Sequence, residues 1–342
     1  MAKIAINGFG RIGRGFMRAV HGRSDIDIVA INDLTSPENL AYLLKYDTVY
    51  GRFSGQVTVD SGQLVVDGKR IPVLAEKDPA KLPWKQFSVD IVLESTGFFT
   101  DPEKARAHIA SGARHVVISA PMKGGDAAGQ GEAGAHTILI GANEEKFGTC
   151  AISSNASCTT NAASPLIGVL DDAIGIERAI LNTTHAYTAT QAIVDAPAPD
   201  DFRRGRAGAQ NLVPSSTGAA KATALAYPHL KDKFDGIAVR VPVASGSLVD
   251  ITFVAKRPTT VAEVNEALTK AASSERWKRV FAVTEEPLVS SDILGLPYGS
   301  IADLAMTRVV DGTLVKVLAW YDNEMGYVRT LIEHVSEVSK RL

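Results

Sequence analysis

The 342-residue chain sets 36 Lys and Arg against 38 Asp and Glu, a net charge of −2, with 45% apolar residues and two cysteines. That balance argues against nucleic-acid binding driven by bulk charge, against disorder, and against a disulfide framework. No apolar run approaches the ~20 residues of a membrane helix, and MAKIAINGFGRIG lacks the apolar core of a leader. Cys150, Cys158 and the seven histidines show no zinc spacing, so no metal is expected. At ~100–200 residues per domain the length predicts two domains. The composition fits a soluble protein of a reducing compartment.

The first third alternates strand and helix patterns, which predicts a parallel sheet with crossover helices. Lys3–Asn7 is a short apolar run stopped by Gly8. Arg11–His21 has helical spacing, with Ile12, Phe16 and Ala19/Val20 on one face and Gly22 at the end. Ile26–Asn32 reads as the next strand, and Ser36-Pro37 as a cap and first helical residue opening Glu38–Lys45. Gln56–Glu76 reads as a small antiparallel insertion punctuated by Ser61-Gly62 and Asp67-Gly68. Asp90–Thr96 is a buried-strand pattern, a helix starts at Asp101-Pro102, and His115–Ser119 and Thr137–Asn143 read as strands. Between them the Gly- and Ala-rich stretch 123–135 reads as a surface loop. After about residue 150 antiparallel-looking strands dominate: Arg178–Thr188, Gly236–Val243, Leu248–Arg257, Arg279–Thr284 and Leu314–Tyr321. A capping box at Thr260 and Glu263 starts a helix to Ser273, and an amphipathic helix spans about Glu324 to Leu342. The predicted fold class is α/β, a Rossmann-type dinucleotide-binding domain plus an α+β catalytic domain with a mostly antiparallel sheet.

Gly8-Phe9-Gly10-Arg11-Ile12-Gly13 is a G-x-G-x-x-G, weak by itself among 29 glycines. Its context strengthens it: a strand precedes it, a helix opens on it, and Asp33 follows Gly13 by 20 residues at the end of the next strand. In such a turn Gly8 permits the tight bend, Gly10 lets backbone approach a pyrophosphate, and Gly13 allows close helix–strand packing. The helix start offers N–H groups and partial positive charge to phosphates. A carboxylate at Asp33 accepts hydrogen bonds from ribose hydroxyls and repels a 2′-phosphate, which predicts NAD over NADP. The plain alternative is a tight turn beside a solvated acid, and it accounts for fewer of these features.

Ala151–Pro165, AISSNASCTTNAASP, runs from an apolar strand end through small polar residues into a helix from about Thr159 to Ile174. That places Cys158 at a helix N-terminus. A free thiol with pKa ~8.5 is mostly protonated at neutral pH; helix N–H groups and a nearby imidazolium each favour the thiolate, and the same N–H groups can hold an oxyanion. Most lone cysteines are packing residues, but Ser157, Thr159 and Thr160 make this one's surroundings polar, whereas Cys150 reads as buried packing. His185, in LNTTHAYTATQ, is the candidate base; His21, His108, His115, His136, His229 and His334 read as structural or surface histidines. Arg203, Arg204 and Arg206 cluster in DDFRRGRAG, and Arg240 interrupts the apolar GIAVRVPV. An arginine in such a strand needs a partner, either an anionic substrate or an internal carboxylate. Ser215-Ser216-Thr217-Gly218 adds groups suited to a phosphate oxygen. Together these describe a thioester-type aldehyde dehydrogenase acting on an acidic substrate.

SNASCTTN (154–161) and WYDNEMGY (320–327) are specific motifs, and INGFGRIGR (6–14), LLKYDTVYGRF (43–53), STGFFT (95–100), ISAP (118–121), STGAAKA (216–222) and RVPV (240–243) accompany them. Over essentially its whole length the chain resembles the phosphorylating glyceraldehyde-3-phosphate dehydrogenases. The resemblance implies Cys158 as nucleophile and His185 as base. It implies Thr188 and Arg240 for the phosphate of the bound substrate, and Ser157, Thr159, Arg204, Thr217 and Gly218 around the attacking phosphate. Arg11, Ile12, Asp33, Thr96 and Ser119 match cofactor-contacting positions, Asn323 the residue that orients the nicotinamide carboxamide, and Tyr327 a position near its ring. It further implies a cytoplasmic homotetramer using glyceraldehyde 3-phosphate and inorganic phosphate. A returning C-terminal helix would give domains 1–157 with 324–342, and 158–323. Ala162 stands where the family often has a second cysteine, and Ala196-Pro197 lies in the loop that helps exclude the NADP phosphate, where the small Ala196 leaves room for some NADP tolerance. Erythrose-4-phosphate dehydrogenase shares this scaffold, although HAYTATQ is more similar to the glyceraldehyde enzyme. A non-catalytic NAD-sensing regulator would not need both Cys158 and His185.

Overall fold

The computed structural model describes residues 1–123, 134–199 and 201–342, so most of the Gly- and Ala-rich stretch, 124–133, lies outside the described residues. The chain divides into two compact units. One comprises Met1–Ile138, Asn143–Ala156 and Leu331–Leu342; the other comprises Leu139–Ala142 and Ser157–Thr330.

In the first unit β1 (Ala2–Asn7), α1 (Arg11–Val20), β2 (Ile26–Asn32) and α2 (Pro37–Lys45) are followed by the short pair β3 (Tyr46–Asp47) and β4 (Gly51–Arg52). Then come β5 (Val57–Asp60), β6 (Gln63–Val66), β7 (Lys69–Leu74), β8 (Ile91–Glu94), α3 (Pro102–Ala110), β9 (His115–Ile118), β10 (Ala135–Thr137) and β11 (Ile152–Ser154). The sheet order is β10-β11-β9-β8-β1-β2-β7-β6-β5. β1 runs parallel to β2 on one side and β8 on the other, so the chain order reverses beside β1 and opens a crevice at the carboxyl ends of the strands. Apolar runs become buried strands as expected: every residue of β8 and β9 is buried. Ser36 caps α2 by accepting from Asn39 N at 3.4 Å, and Asp101 caps α3 by accepting from Glu103 N at 2.9 Å.

Several details differ from the sequence reading. The β5–β6–β7 meander is antiparallel as predicted, but β7 also pairs in parallel with β2, Ile31 against Val73, so the insertion extends the main sheet. α1 buries Gly13, Phe16, Met17 and Val20 rather than Ile12 and Ala19. Hydrophobic periodicity undercounts a face on which glycine makes the closest approach. The strand expected over Thr137–Asn143 leaves the sheet after Thr137, because Gly141 (φ +82°) turns the chain and packs against the Trp277 ring, where a Cβ would sit 2.5 Å from ring carbons. Cys150 is half-buried rather than buried.

The second unit contains α4 (Cys158–Ala173), β12 (Ile176–Ala186), β13 (Val213–Ser216), α5 (Ala219–Ala226), β14 (Phe234–Val241), β15 (Ser247–Ala255), α6 (Val261–Ala272), β16 (Phe281–Thr284), β17 (Ser300–Val310) and β18 (Leu314–Tyr321). Its sheet runs β13-β14-β12-β15-β18-β17-β16, antiparallel except for the β14–β12 and β17–β16 pairs. α7 (Met325–Ser339) begins in this unit and belongs to the first from Leu331 onward. Residues 213–216 and 300–310 were not legible as strands. In β17 the buried polar residues Asp303 and Thr307 and a register shift between Asp303 and Arg308 break the alternation. α4 and α5 pack on one face of this sheet. Ile180, Ile237 and Leu314 are 60%, 54% and 44% exposed on the other.

Candidate active site

The crevice beside β1 encloses about 510 Å³ and is lined by Gly8, Gly10, Asp33, Leu34, Thr96 and Lys77 among others. α1 starts at its mouth with no side-chain cap and no acidic residue in its first turn, Arg11-Ile12-Gly13, so its positive end is available to an anion. Gly8 has φ +94°, and a Cβ there would lie 2.6 Å from Thr96 N; at Gly13 it would overlap the Gly8 carbonyl oxygen. A Cβ on Gly10 would meet no protein atom within 4 Å, leaving backbone open to a ligand. Asp33 is pinned by Phe9 N at 2.8 Å and Thr35 N at 2.9 Å, which orients its carboxylate at the end of β2. These features fit a dinucleotide. The Arg11 guanidinium pairs with Asp47 and lies 5.7 Å from the Tyr50 ring centroid, so its side chain is occupied within the protein. Ser119 donates its hydroxyl to Glu94 O at 3.0 Å.

Beneath the crevice lies a polar network that sequence reasoning missed. Glu94, 1% exposed, accepts from Asn7 Nδ2 at 2.6 Å, from Thr96 N at 2.8 Å and from the Thr96 hydroxyl. His108 Nε2 lies 3.1 Å from the same carboxylate, and Trp84 Nε1 donates to His108 Nδ1 at 2.9 Å. Indole only donates, so His108 Nδ1 must accept and Nε2 carries the hydrogen toward Glu94. Asn7 Oδ1 accepts in turn from Asn32 Nδ2 at 2.7 Å. The carboxyl ends of β1, β2 and β8 are thereby cross-tied. The available signal was an acid closing an otherwise apolar buried strand.

In the second unit Ser157 caps α4, its Oγ accepting from Thr160 N at 3.1 Å, and Cys158 is the first helical residue. Just before them Ala156 holds φ +54°, a left-handed conformation costing a non-glycine residue about 1–2 kcal/mol. Cys158 Sγ lies 3.4 Å from His185 Nε2, near the end of β12. Burial pushes the Cys158 thiol up, opposed by the charge of Arg240. Burial and the same arginine push His185 down to about 3. Burial thus disfavours the imidazolium expected beside the thiol, while the geometry leaves the two groups within reach of a proton transfer. Tyr321 stacks edge-on against His185 at 5.9 Å, and its hydroxyl lies 2.9 Å from Thr159 Oγ1 and 2.7 Å from Thr183 Oγ1.

Arg240 stands opposite His185 in the parallel β12–β14 register. No carboxylate among the described residues lies within ion-pair distance of it, which removes the internal-carboxylate reading. The Arg204 charge is close enough to lower Arg240 further after burial has done so. Arg204 itself is held by Ser215 Oγ at 2.8 Å and Asp201 at 3.4 Å. Thr217 and Gly218 precede α5; Gly218 has no side chain to cap it, and Thr217 Oγ1 accepts from Ala219 N at 3.2 Å instead. Thr188 lies two residues past β12, its hydroxyl 2.9 Å from that of Thr190. Arg206 pairs instead with Asp195 on the surface. Asn323 Oδ1 accepts from Ser247 Oγ at 2.9 Å and Gly246 N at 3.1 Å, which orients its Nδ2 as the donor left for a ligand. Tyr327 is buried in the first turn of α7. Among the described residues no group of three or more His, Cys, Asp or Glu could hold a metal ion, and no helix is long and apolar enough to cross a membrane.

The chain is similar to known proteins over nearly its whole length. Residues 2–102 match the family described as glyceraldehyde 3-phosphate dehydrogenase, NAD binding domain, and residues 157–323 match its C-terminal domain. The chain is 49% identical to glyceraldehyde-3-phosphate dehydrogenase of Kitasatospora aureofaciens, over 100% of both chains. It is 48% identical to glyceraldehyde-3-phosphate dehydrogenase 2 of Streptomyces avermitilis, over 99% of both. It is 46% identical to the Geobacillus stearothermophilus enzyme, over 99% of this chain and 98% of that one.

Proposed function

The chain belongs to the glyceraldehyde-3-phosphate dehydrogenase family, and on that premise we propose that it oxidises glyceraldehyde 3-phosphate to 1,3-bisphosphoglycerate, with Cys158 as nucleophile and His185 as base. The observation that carries this assignment is the 3.4 Å approach of Cys158 Sγ to His185 Nε2, beside Arg240, which meets no carboxylate among the described residues. The sulfur attacks the aldehyde carbon while the thiol proton passes to His185 Nε2 and on to the carbonyl oxygen, giving a thiohemiacetal. His185 then removes the hydroxyl proton as the carbon–hydrogen bond breaks. NAD, when bound, accepts the hydride. An oxygen of inorganic phosphate adds to the resulting thioester, and the Cys158 thiolate leaves with an acyl phosphate as product. Arg240 and Thr188 hold the substrate's phosphate; Ser157, Thr159, Arg204, Thr217 and Gly218 surround the attacking phosphate. We assign the cofactor to the unit containing Gly8–Gly13, Asp33, Thr96 and Ser119, with Asn323 and Tyr327 serving the nicotinamide.

Steady-state kinetics test this assignment. Turnover should require inorganic phosphate and prefer glyceraldehyde 3-phosphate over erythrose 4-phosphate, and NAD over NADP. Full turnover without phosphate, or a preference for erythrose 4-phosphate, would overturn it. We also propose a cytoplasmic homotetramer. The free thiols of Cys150 and Cys158 suit a reducing compartment, and the exposed Ile180 and Ile237 on one sheet face suit burial against a second copy. Cell fractionation and sedimentation equilibrium test these two statements.

A further inference from the structure

Glu94 closes β8 almost fully buried, and among the described residues no lysine or arginine lies within ion-pair distance of it. Burying a carboxyl group there costs desolvation that the apolar Ile91, Val92 and Leu93 before it do not incur. The cost is offset by donors whose directions are fixed from outside. Glu76 N donates to Asn32 Oδ1 at 2.9 Å and Glu76 O accepts from Asn32 Nδ2 at 2.9 Å, so main chain orients Asn32. Asn32 Nδ2 in turn makes the facing Asn7 atom, 2.7 Å away, the acceptor, which leaves Asn7 Nδ2 to donate to Glu94 Oε2 at 2.6 Å. The Trp84 indole likewise leaves His108 Nε2 to donate to the same oxygen at 3.1 Å. Thr96 N donates to Oε1 at 2.8 Å. An amide in place of the carboxyl group would set an N–H against one of these donors in either orientation.

We propose that Glu94 is a positioning residue for the cofactor, holding Asn7, Asn32 and Thr96 in the wall geometry that a dinucleotide meets. The proposal rests on the assignment of the cofactor to this crevice and deepens it. Asn7, Asn32, Glu76 and Thr96 line the crevice, whereas Glu94, His108 and Trp84 stand behind it. The segments that Glu94 ties also clamp the glycine turn. Gly8 N donates to Asn32 O at 2.8 Å, Ser95 Oγ donates to Gly8 O at 2.7 Å, and a Cβ on Gly8 would lie 2.6 Å from Thr96 N. A wall set before binding spares the complex the entropy of ordering it. Loss of the carboxyl group should therefore weaken the whole dinucleotide and its ADP portion alike, and leave the chemical step alone.

The test titrates wild type and Glu94→Gln with NAD and with ADP, with folding followed by the far-ultraviolet spectrum. Both ligands should bind the variant at least tenfold more weakly, while kcat at saturating NAD and KM for glyceraldehyde 3-phosphate stay within twofold of wild type. A merely structural role would lower the unfolding temperature and leave both affinities in place. His108 gives a second comparison. In His108→Gln the amide oxygen can accept from Trp84 and the amide nitrogen can donate to Glu94, as the ring does; His108→Leu can do neither. NAD should bind His108→Gln within threefold of wild type, and His108→Leu at least fivefold more weakly than His108→Gln. NAD affinity within threefold of wild type in folded Glu94→Gln overturns the proposal. Equal affinities in the two His108 variants do so even if Glu94→Gln does not fold. Wild-type protein that binds neither NAD nor ADP sinks the cofactor assignment itself, whereas wild-type binding that these variants leave unmoved sinks this proposal alone.

Discussion

Cys158 and Asp33 carry the sharpest single-residue expectations. Cys158→Ser keeps the N-terminal position on α4 but replaces a thiol with a far less acidic hydroxyl. Turnover should fall by at least about 10³-fold while NAD still quenches protein fluorescence with near-normal affinity. Near-normal turnover in that variant would exclude Cys158 as nucleophile. Asp33 is held by two backbone amides, so removing it opens space and removes charge without disturbing a side-chain partner. Asp33→Gly with Leu34→Arg should raise the kcat/KM ratio of NADP over NAD by about 10–100-fold, the size of one to two charge-assisted contacts. An unmoved ratio would show that cofactor choice lies elsewhere. Both residues were legible in the sequence because each sits at a fixed offset from a turn or cap. Tyr321, Glu94 and His108 were not, since their roles depend on partners far away in sequence, such as Thr159 for Tyr321 and Trp84 for His108.

At the scale of elements, the strand–turn–helix of β1 and α1 works because two glycines permit overlaps no side chain could. Gly13→Ala would drive a Cβ into the Gly8 carbonyl oxygen, backbone that cannot swing aside. The variant should lose about 2–4 kcal/mol of stability in the first unit, together with most NAD affinity, measured by thermal unfolding and NAD titration. Wild-type values for both would mean that the helix–strand contact is looser than drawn. The capping box at Thr260 is half realised: Thr260 accepts from Glu263 N at 3.2 Å, but the Glu263 carboxylate turns to Thr259 and Arg257. Local signals thus located the start of α6. The side chain's final partner was decided by what stood nearby.

At the scale of the whole molecule, burial of neutral histidines links stability to pH. Burial lowers His115 to about 4 and His334 to about 3, and Ser153 Oγ sits between them at 2.8 Å and 2.7 Å; His185 is lowered to about 3. In the unfolded chain each titrates near 6.5. Below that pH the unfolded state takes up protons that the folded state refuses. Stability is therefore fully present above about pH 6.5 and falls as pH drops toward 4, by up to ~1.4 kcal/mol per pH unit for each histidine. Urea midpoints at pH 7 and pH 5 should separate accordingly, and His115→Asn with His334→Asn should narrow the gap; an unchanged gap would refute the linkage. A second global expectation concerns the open sheet face. Ile237→Glu places a charge on a surface proposed to meet another copy, and should lower the sedimenting mass while leaving the far-ultraviolet spectrum intact. An unchanged mass would remove that face from the assembly.

The dinucleotide turn, the helix that begins at the reactive cysteine, the alternation of strands and helices, and the family were all legible in the amino-acid order. Each of these follows from short-range chemistry: φ-permissive glycines, caps, hydrophobic period and motif spacing. Tertiary contacts alone make β7 join the main sheet, make β17 a strand, cross-tie Glu94 with side chains from β1 and α3, and set Arg240 opposite His185. The reason is physical. Strand partners and the protonation of buried groups depend on which distant segments exclude water together, and no local pattern encodes that desolvation.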